Sequence, residues 1–142
     1  MAKASVITRW VRLSRRRRAL LAEAVLAVAA ASAAIRFRPF KRAISMGSLP
    51  LTDQPPGGDI TDDVRWAVET AGRNVPWRAM CIQQGLALQW MLRRRGVDAR
   101  LHYGIAKDEG GELQAHVWVA AGGEVVIGGA EAPRFKCVAT YP

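Results

Sequence analysis

Cys81 and His116 stand 35 residues apart in a chain of 142. After Cys81, the residues Ile82, Gly85, Leu88, Met91 and Leu92 recur at helical spacing, which puts the thiol at the opening of a helix. Free amides and the positive end of the dipole there stabilise a thiolate, and a neighbouring imidazolium adds to the effect. The same amides can hold an oxyanion beside the sulfur. His116 falls in a run, Leu113 to Ala120, that reads as a strand, and Trp118 shares its face of that strand. Such a set supports acyl transfer through a thioester. The plain alternatives are a small core thiol, a hydrogen-bonded structural histidine and a packed tryptophan.

A second cysteine and a second histidine serve as internal comparisons. Cys137 lies in a C-terminal run with no helix start and is expected to pack. His102, between Leu101 and Tyr103, has no neighbour that points to chemistry. Two Cys and two His at these spacings fit no usual zinc pattern, so no metal and no cofactor is expected. Gln83 and Gln84 read as oxyanion donors or as solvated helix positions. Gly104 marks either a close backbone approach or a bulge. Trp66, Trp77 and Trp90 read as packing residues.

The elements that must position these residues can be placed along the chain. A first helix is expected from Ser14 to Arg36, stopped by Pro39. The segment Gly47 to Asp59, with Pro50, Pro55, Pro56, Gly57 and Gly58, reads as a hinge loop. Thr61 can cap a second helix that buries Val64, Ala67, Val68 and Ala71, and Asn74-Val75-Pro76 ends it. The third helix opens near Ala79–Cys81 and runs to Arg95, with Gly96 just beyond and Arg93, Arg94 and Arg95 as a solvated last turn. Strands are expected over Ala99–Ala106, Leu113–Ala120, Glu124–Ile127 and Arg134–Thr140, with a Gly122-Gly123 hairpin. Helices followed by an antiparallel sheet define an α+β fold. The division expected is a basic arm over 1–58 and a core over 59–142.

Composition narrows the classes. Half the residues are hydrophobic and 23% are charged, as in globular domains, and two cysteines exclude a disulfide-stapled scaffold. No fixed-period repeat is present. The formal charge of +9 is lopsided: residues 1–42 carry eleven Lys and Arg against one acid, Glu23, while the rest is nearly neutral. A nucleic-acid binder spreads cations over a face of its fold, so no nucleic-acid partner is expected. Ala19–Ile35 is a 17-residue apolar run broken by Glu23, short for a membrane span. We read it as a helix packed on the domain or on a partner. Membrane contact of this N-terminal helix and a signal cleaved at Ala31-Ser32-Ala33 are its rivals. The cytoplasm is the expected location.

The stretch Val75-Pro76-Trp77-Arg78-Ala79-Met80-Cys81-Ile82-Gln83-Gln84-Gly85-Leu86-Ala87-Leu88 is followed by Leu92-Arg93-Arg94-Arg95-Gly96-Val97. Then come Leu101-His102-Tyr103-Gly104-Ile105 and Ala115-His116-Val117-Trp118-Val119. In order and spacing this resembles the stand-alone leader peptidases of lasso-peptide biosynthesis, a transglutaminase-like family of cysteine proteases. The resemblance covers about 60–142, and the Ala-rich helix with Arg38-Pro39-Phe40 is similar to the family's N-terminal part. It implies a papain-like core with Cys81 as nucleophile and His116 as general base. The implied task is removal of the leader from a ribosomally made precursor peptide, after which a lasso cyclase closes the ring. Stand-alone members rely on a separate, PqqD-like leader-recognition protein, and residues 1–60 do not read as such a domain.

Related enzymes place an acid on the strand after the histidine. The corresponding position, twelve residues beyond His116, is Gly128. With Gly122-Gly123 as the turn, Ala121 pairs with Glu124 and Val119 with Val126, which sets His116 opposite Gly129, next to Gly128. Neither glycine has a side chain to orient an imidazole. Glu124 lies roughly 16 Å along the ladder. Glu131, in the following loop, is the first candidate to fold back as third catalytic residue; a backbone carbonyl or a water is the alternative. An amidase or transamidase on the same scaffold, and a non-catalytic scaffold of the maturation complex, are the competing functions.

Overall fold

Ser14 opens the long helix of the chain: its hydroxyl accepts a hydrogen bond from the Arg17 amide at 3.2 Å, a cap worth about 1 kcal/mol. Pro39 closes it. Arg38 before the proline is extended (φ −118°, ψ 154°), and its amide still donates to the Ala34 carbonyl. The computed structural model describes residues 2–48, 50 and 60–142. In chain order these form α1 (Ala2–Arg12), α2 (Arg15–Phe37), the single turn α3 (Phe40–Ala43), α4 (Ile60–Asn74) and α5 (Cys81–Arg93). Then follow β1 (Ala99–Lys107), β2 (Leu113–Ala121), β3 (Glu124–Ile127), a 3₁₀ turn (Ala132–Arg134) and β4 (Lys136–Tyr141). The strands make one antiparallel sheet in the order β3-β2-β1-β4, so the fold is α+β. The expected boundary at 58/59 lies outside the described residues.

The helices cover one face of the sheet. Val64, Ala67, Val68 and Ala71 form the buried stripe of α4, at the spacing expected. That helix begins at Ile60, a half-buried residue packed on the core, so Thr61 stands inside the first turn rather than capping it. Ala24, Ala27 and Ala31 face inward on α2, and their small side chains let it lie against α4 and α5. The Ala-rich helix therefore shares one hydrophobic core with α4, α5 and the sheet.

Helix α5 departs from its expected single buried face. Leu86, Ala87, Leu88 and Gln89 are all fully buried, because α2 and α4 cover one side and the sheet the other. Gly85 is required there: a Cβ would stand 2.8 Å from Val117 Cγ1. The buried Gln89 amide donates to the carbonyls of Ala99 and Tyr141, tying α5 to β1 and β4.

The arginine triplet is solvated only at Arg94. Arg93 is buried, bonded to Asp98 at 3.0 Å and to the Ala99 carbonyl. Arg94 and Arg95 both pair with Glu23 of α2. Seventy residues of sequence separate these partners, so only the packing of α2 reveals them. Gly96 adopts φ 81° just past the helix, as its position required.

Candidate active site

Cys81 is the first residue of α5, half-buried against the core. Two glutamines fasten the chain at this point. Gln83 Oε1 accepts from the Met80 amide at 2.9 Å, and Gln84 Nε2 donates to the Ala79 carbonyl at 3.0 Å. Both side chains thus help fix the entry to the helix and are not simply solvated. The first intrahelical bond at this end runs from the Gln84 amide to the Met80 carbonyl, which leaves the amides beside Cys81 without helical acceptors.

Val117 packs on α5 at Gly85, so the alternation of β2 turns His116 and Trp118 to the other side of the strand. His116 is 8% exposed, walled by Phe135 at 5.1 Å and Trp118 at 6.0 Å between ring centroids. Trp118 stands outside the helix-side core and lies over Gly104, where a Cβ would come within 2.7 Å of its ring. That close approach, with a shift of the β1–β4 register between Tyr103 and Gly104, accounts for the glycine.

The imidazole is held from behind by backbone. His116 Nε2 lies 2.9 Å from the Gly128 carbonyl oxygen. A carbonyl oxygen only accepts, so Nε2 carries the proton, and the neutral ring keeps its lone pair on Nδ1. The position where related enzymes carry an acid supplies a main-chain acceptor instead. The register also differs from the one expected: a bulge between Val119 and Ala120 pairs Val119 with Ile127, not Val126. That extra residue corrects the expected placement of Gly129 opposite His116. Gly128 then turns across the strand with φ 78°, and a Cβ on it would stand 2.7 Å from the Val117 carbonyl and 3.2 Å from His116 Nε2.

A cleft of about 630 Å³ brings these groups together, lined by Cys81, His116, Gly128, Glu131 and Phe135, with Gln114, Ala115 and Ala130. Glu131 is exposed at its lip, and among the described residues no hydrogen bond joins its carboxylate to His116. Nor does a hydrogen bond join the Cys81 thiol to an imidazole; catalytic contacts of this kind often tighten only with substrate in place. Phe135 was not singled out in the sequence, because its place in the cleft depends on the 3₁₀ turn before it. No cluster among the described residues has the ligand number for a metal.

The packing assigned to Cys137 is corrected. Its thiol is exposed, 3.9 Å from His102 Nδ1, which also meets Thr140 Oγ1 at 3.0 Å. Burial, then the Arg100 charge, push the His102 pKa down. Pairing of β1 with β4 makes this contact, and no local pattern announced that register.

A thiol at the start of a buried helix, opening on a cleft shared with a backbone-oriented imidazole on an antiparallel sheet, is an arrangement that Cys–His acyl transfer can use. The chain belongs to the transglutaminase-like superfamily, whose family model matches residues 5–140. Cysteine-protease-like chemistry is typical of that superfamily. No curated protein and no solved structure gives a match.

Proposed function

We propose that this protein is a cysteine peptidase that removes the leader from a ribosomally made lasso-peptide precursor, with Cys81 as nucleophile and His116 as general base. The observation that carries the reading is the pairing of a helix-opening thiol with an imidazole whose Nε2 proton is committed to the Gly128 carbonyl. His116 Nδ1 accepts the thiol proton as Cys81 Sγ attacks the scissile carbonyl carbon. The free amides at the start of α5 meet the oxyanion. The imidazolium then protonates the leaving amine, the C–N bond breaks, and the core peptide departs. The leader remains as a thioester on Sγ. Water, losing a proton to Nδ1, attacks that thioester and frees the leader carboxylate.

The proposed setting is the cytoplasm, with a separate leader-recognition protein to deliver the precursor and a cyclase to close the ring. The missing contact between thiol and imidazole supports an enzyme completed by its partner or substrate. A transamidase would pass the same thioester to an amine, so product mass separates the two. The test is mass-spectrometric cleavage of the precursor from the same gene neighbourhood, with and without the recognition protein. Hydrolysed leader from wild type, absent with Cys81→Ala and His116→Ala, supports the peptidase. Full activity of either variant contradicts it, and an amine adduct replaces it with transamidation.

A further inference from the structure

Helix α1 presents an apolar face that the described protein leaves largely open at Ile7 and Val11 and covers in part at Trp10. Ile7 is 71% exposed, Val11 64% and Trp10 38%. Their spacing of three and four residues puts all three on one side of the helix, with Arg9 and Arg12 on the other. No acid occurs before Glu23, while Lys3, Arg9, Arg12 and Arg15–Arg18 supply seven cations. Two of these serve the body: Arg16 pairs with Asp63 at 3.2 Å, and Arg17 lies 4.7 Å over the Trp66 ring. Among the described residues Arg9, Arg12 and Arg15 have no ion-pair partner.

We propose that α1 lies in the surface of an anionic phospholipid bilayer, with Ile7, Trp10 and Val11 among the acyl chains and the unpaired arginines at the headgroups. A short helix with three large apolar side chains binds neutral lipid only weakly, and each arginine near an anionic surface adds about fivefold. Tryptophan suits the boundary, with an apolar body and an N–H for the polar side. Nucleic acid offers the same negative charge but no apolar phase for the exposed face. The inference is independent of the peptidase reading, since no described residue of α1 lines the cleft.

The experiment is co-sedimentation of the full chain with vesicles of phosphatidylcholine alone and of phosphatidylcholine with phosphatidylglycerol. Wild type is expected to pellet with the anionic vesicles and to be released as salt rises. The triple variant Ile7→Glu, Trp10→Glu, Val11→Glu is expected to bind about tenfold or more weakly. Its thermal midpoint and its activity on soluble precursor should match wild type. Failure of wild type to pellet overturns the proposal, as does pelleting of the triple variant at the wild-type level. So does a wild type that ignores vesicles while this face captures the recognition protein.

Discussion

The molecule holds two thiol–imidazole neighbourhoods, and the one with a contact in hydrogen-bond range is not the one that opens on the cleft. Cys137 and His102 sit 3.9 Å apart on adjacent strands, whereas Cys81 and His116 share a cleft without a hydrogen bond. Trp118 stacks on both imidazoles, at 5.6 Å from His102 and 6.0 Å from His116. The difference lies in everything around each pair. Cys137 is exposed on a strand paired with β1, away from a helix opening and outside the lining of the Cys81 cleft. His102 spends Nδ1, the nitrogen nearest the sulfur, on Thr140. Cys81 has free amides, a cavity and a partner whose Nδ1 lone pair is left available. Distance alone is a poor guide; the environment that stabilises a thiolate and receives an oxyanion decides.

The largest effects should separate the two pairs. Cys81→Ala is expected to lower kcat/KM about 10⁴-fold or more, and His116→Ala about 10²–10⁴-fold. Cys137→Ala and His102→Ala should stay within about twofold, because neither touches the cleft. Equal losses at both pairs would erase the comparison.

Gly128 tests the orienting carbonyl. Gly128→Ala forces a Cβ against the Val117 carbonyl at positive φ and is expected to cost about 1–3 kcal/mol in thermal or urea unfolding. Displacement of the imidazole should lower kcat by up to about 10²-fold. Nitrogen-15 chemical shifts of His116 should report the Nε2–H tautomer in wild type.

Glu23 tests the attachment of α2 to the C-terminal end of α5. The Arg95 hydrogen bond, with the charges of Arg95 and Arg94, holds its carboxyl below the ordinary value, although partial burial pushes the other way. Its stabilisation is therefore present above the ordinary carboxylate range and fades as pH falls through the lowered folded value. Glu23→Gln is expected to cost about 1–2 kcal/mol at neutral pH and to flatten that part of the acid-unfolding curve.

The smallest effect is the titration of His102. Its folded pKa is depressed, so its contribution is complete above the ordinary histidine value and is lost as pH falls through the folded one. Proton NMR should show His102 titrating below 6.5, the ordinary value.

What was legible in the sequence was local. The α4 stripe, the glycine after α5, Pro39 as a helix stop and the Gly122-Gly123 hairpin follow from spacing and backbone chemistry within a few residues. So did the placement of Cys81 at a helix start. What was not legible depends on distant partners. Glu23 beside Arg94 and Arg95, Arg93 under Ala99, and Cys137 beside His102 all require the tertiary packing. The bulge at Val119 shifts the register by one residue, and which backbone carbonyl meets His116, that of Gly128, depends on the folded sheet. α1 is not legible because it carries no cap signal and its residues Ile7–Arg12 are all exposed.

The measurement closest to the central claim is mapping of the acyl-enzyme. Precursor is incubated with enzyme and recognition protein, the mixture is quenched in acid, and the digested enzyme is searched by mass spectrometry for the leader thioester. The leader on the peptide carrying Cys81, and on no peptide carrying Cys137, is the predicted result. A thioester on Cys137, or cleavage that persists in Cys81→Ala, would contradict it.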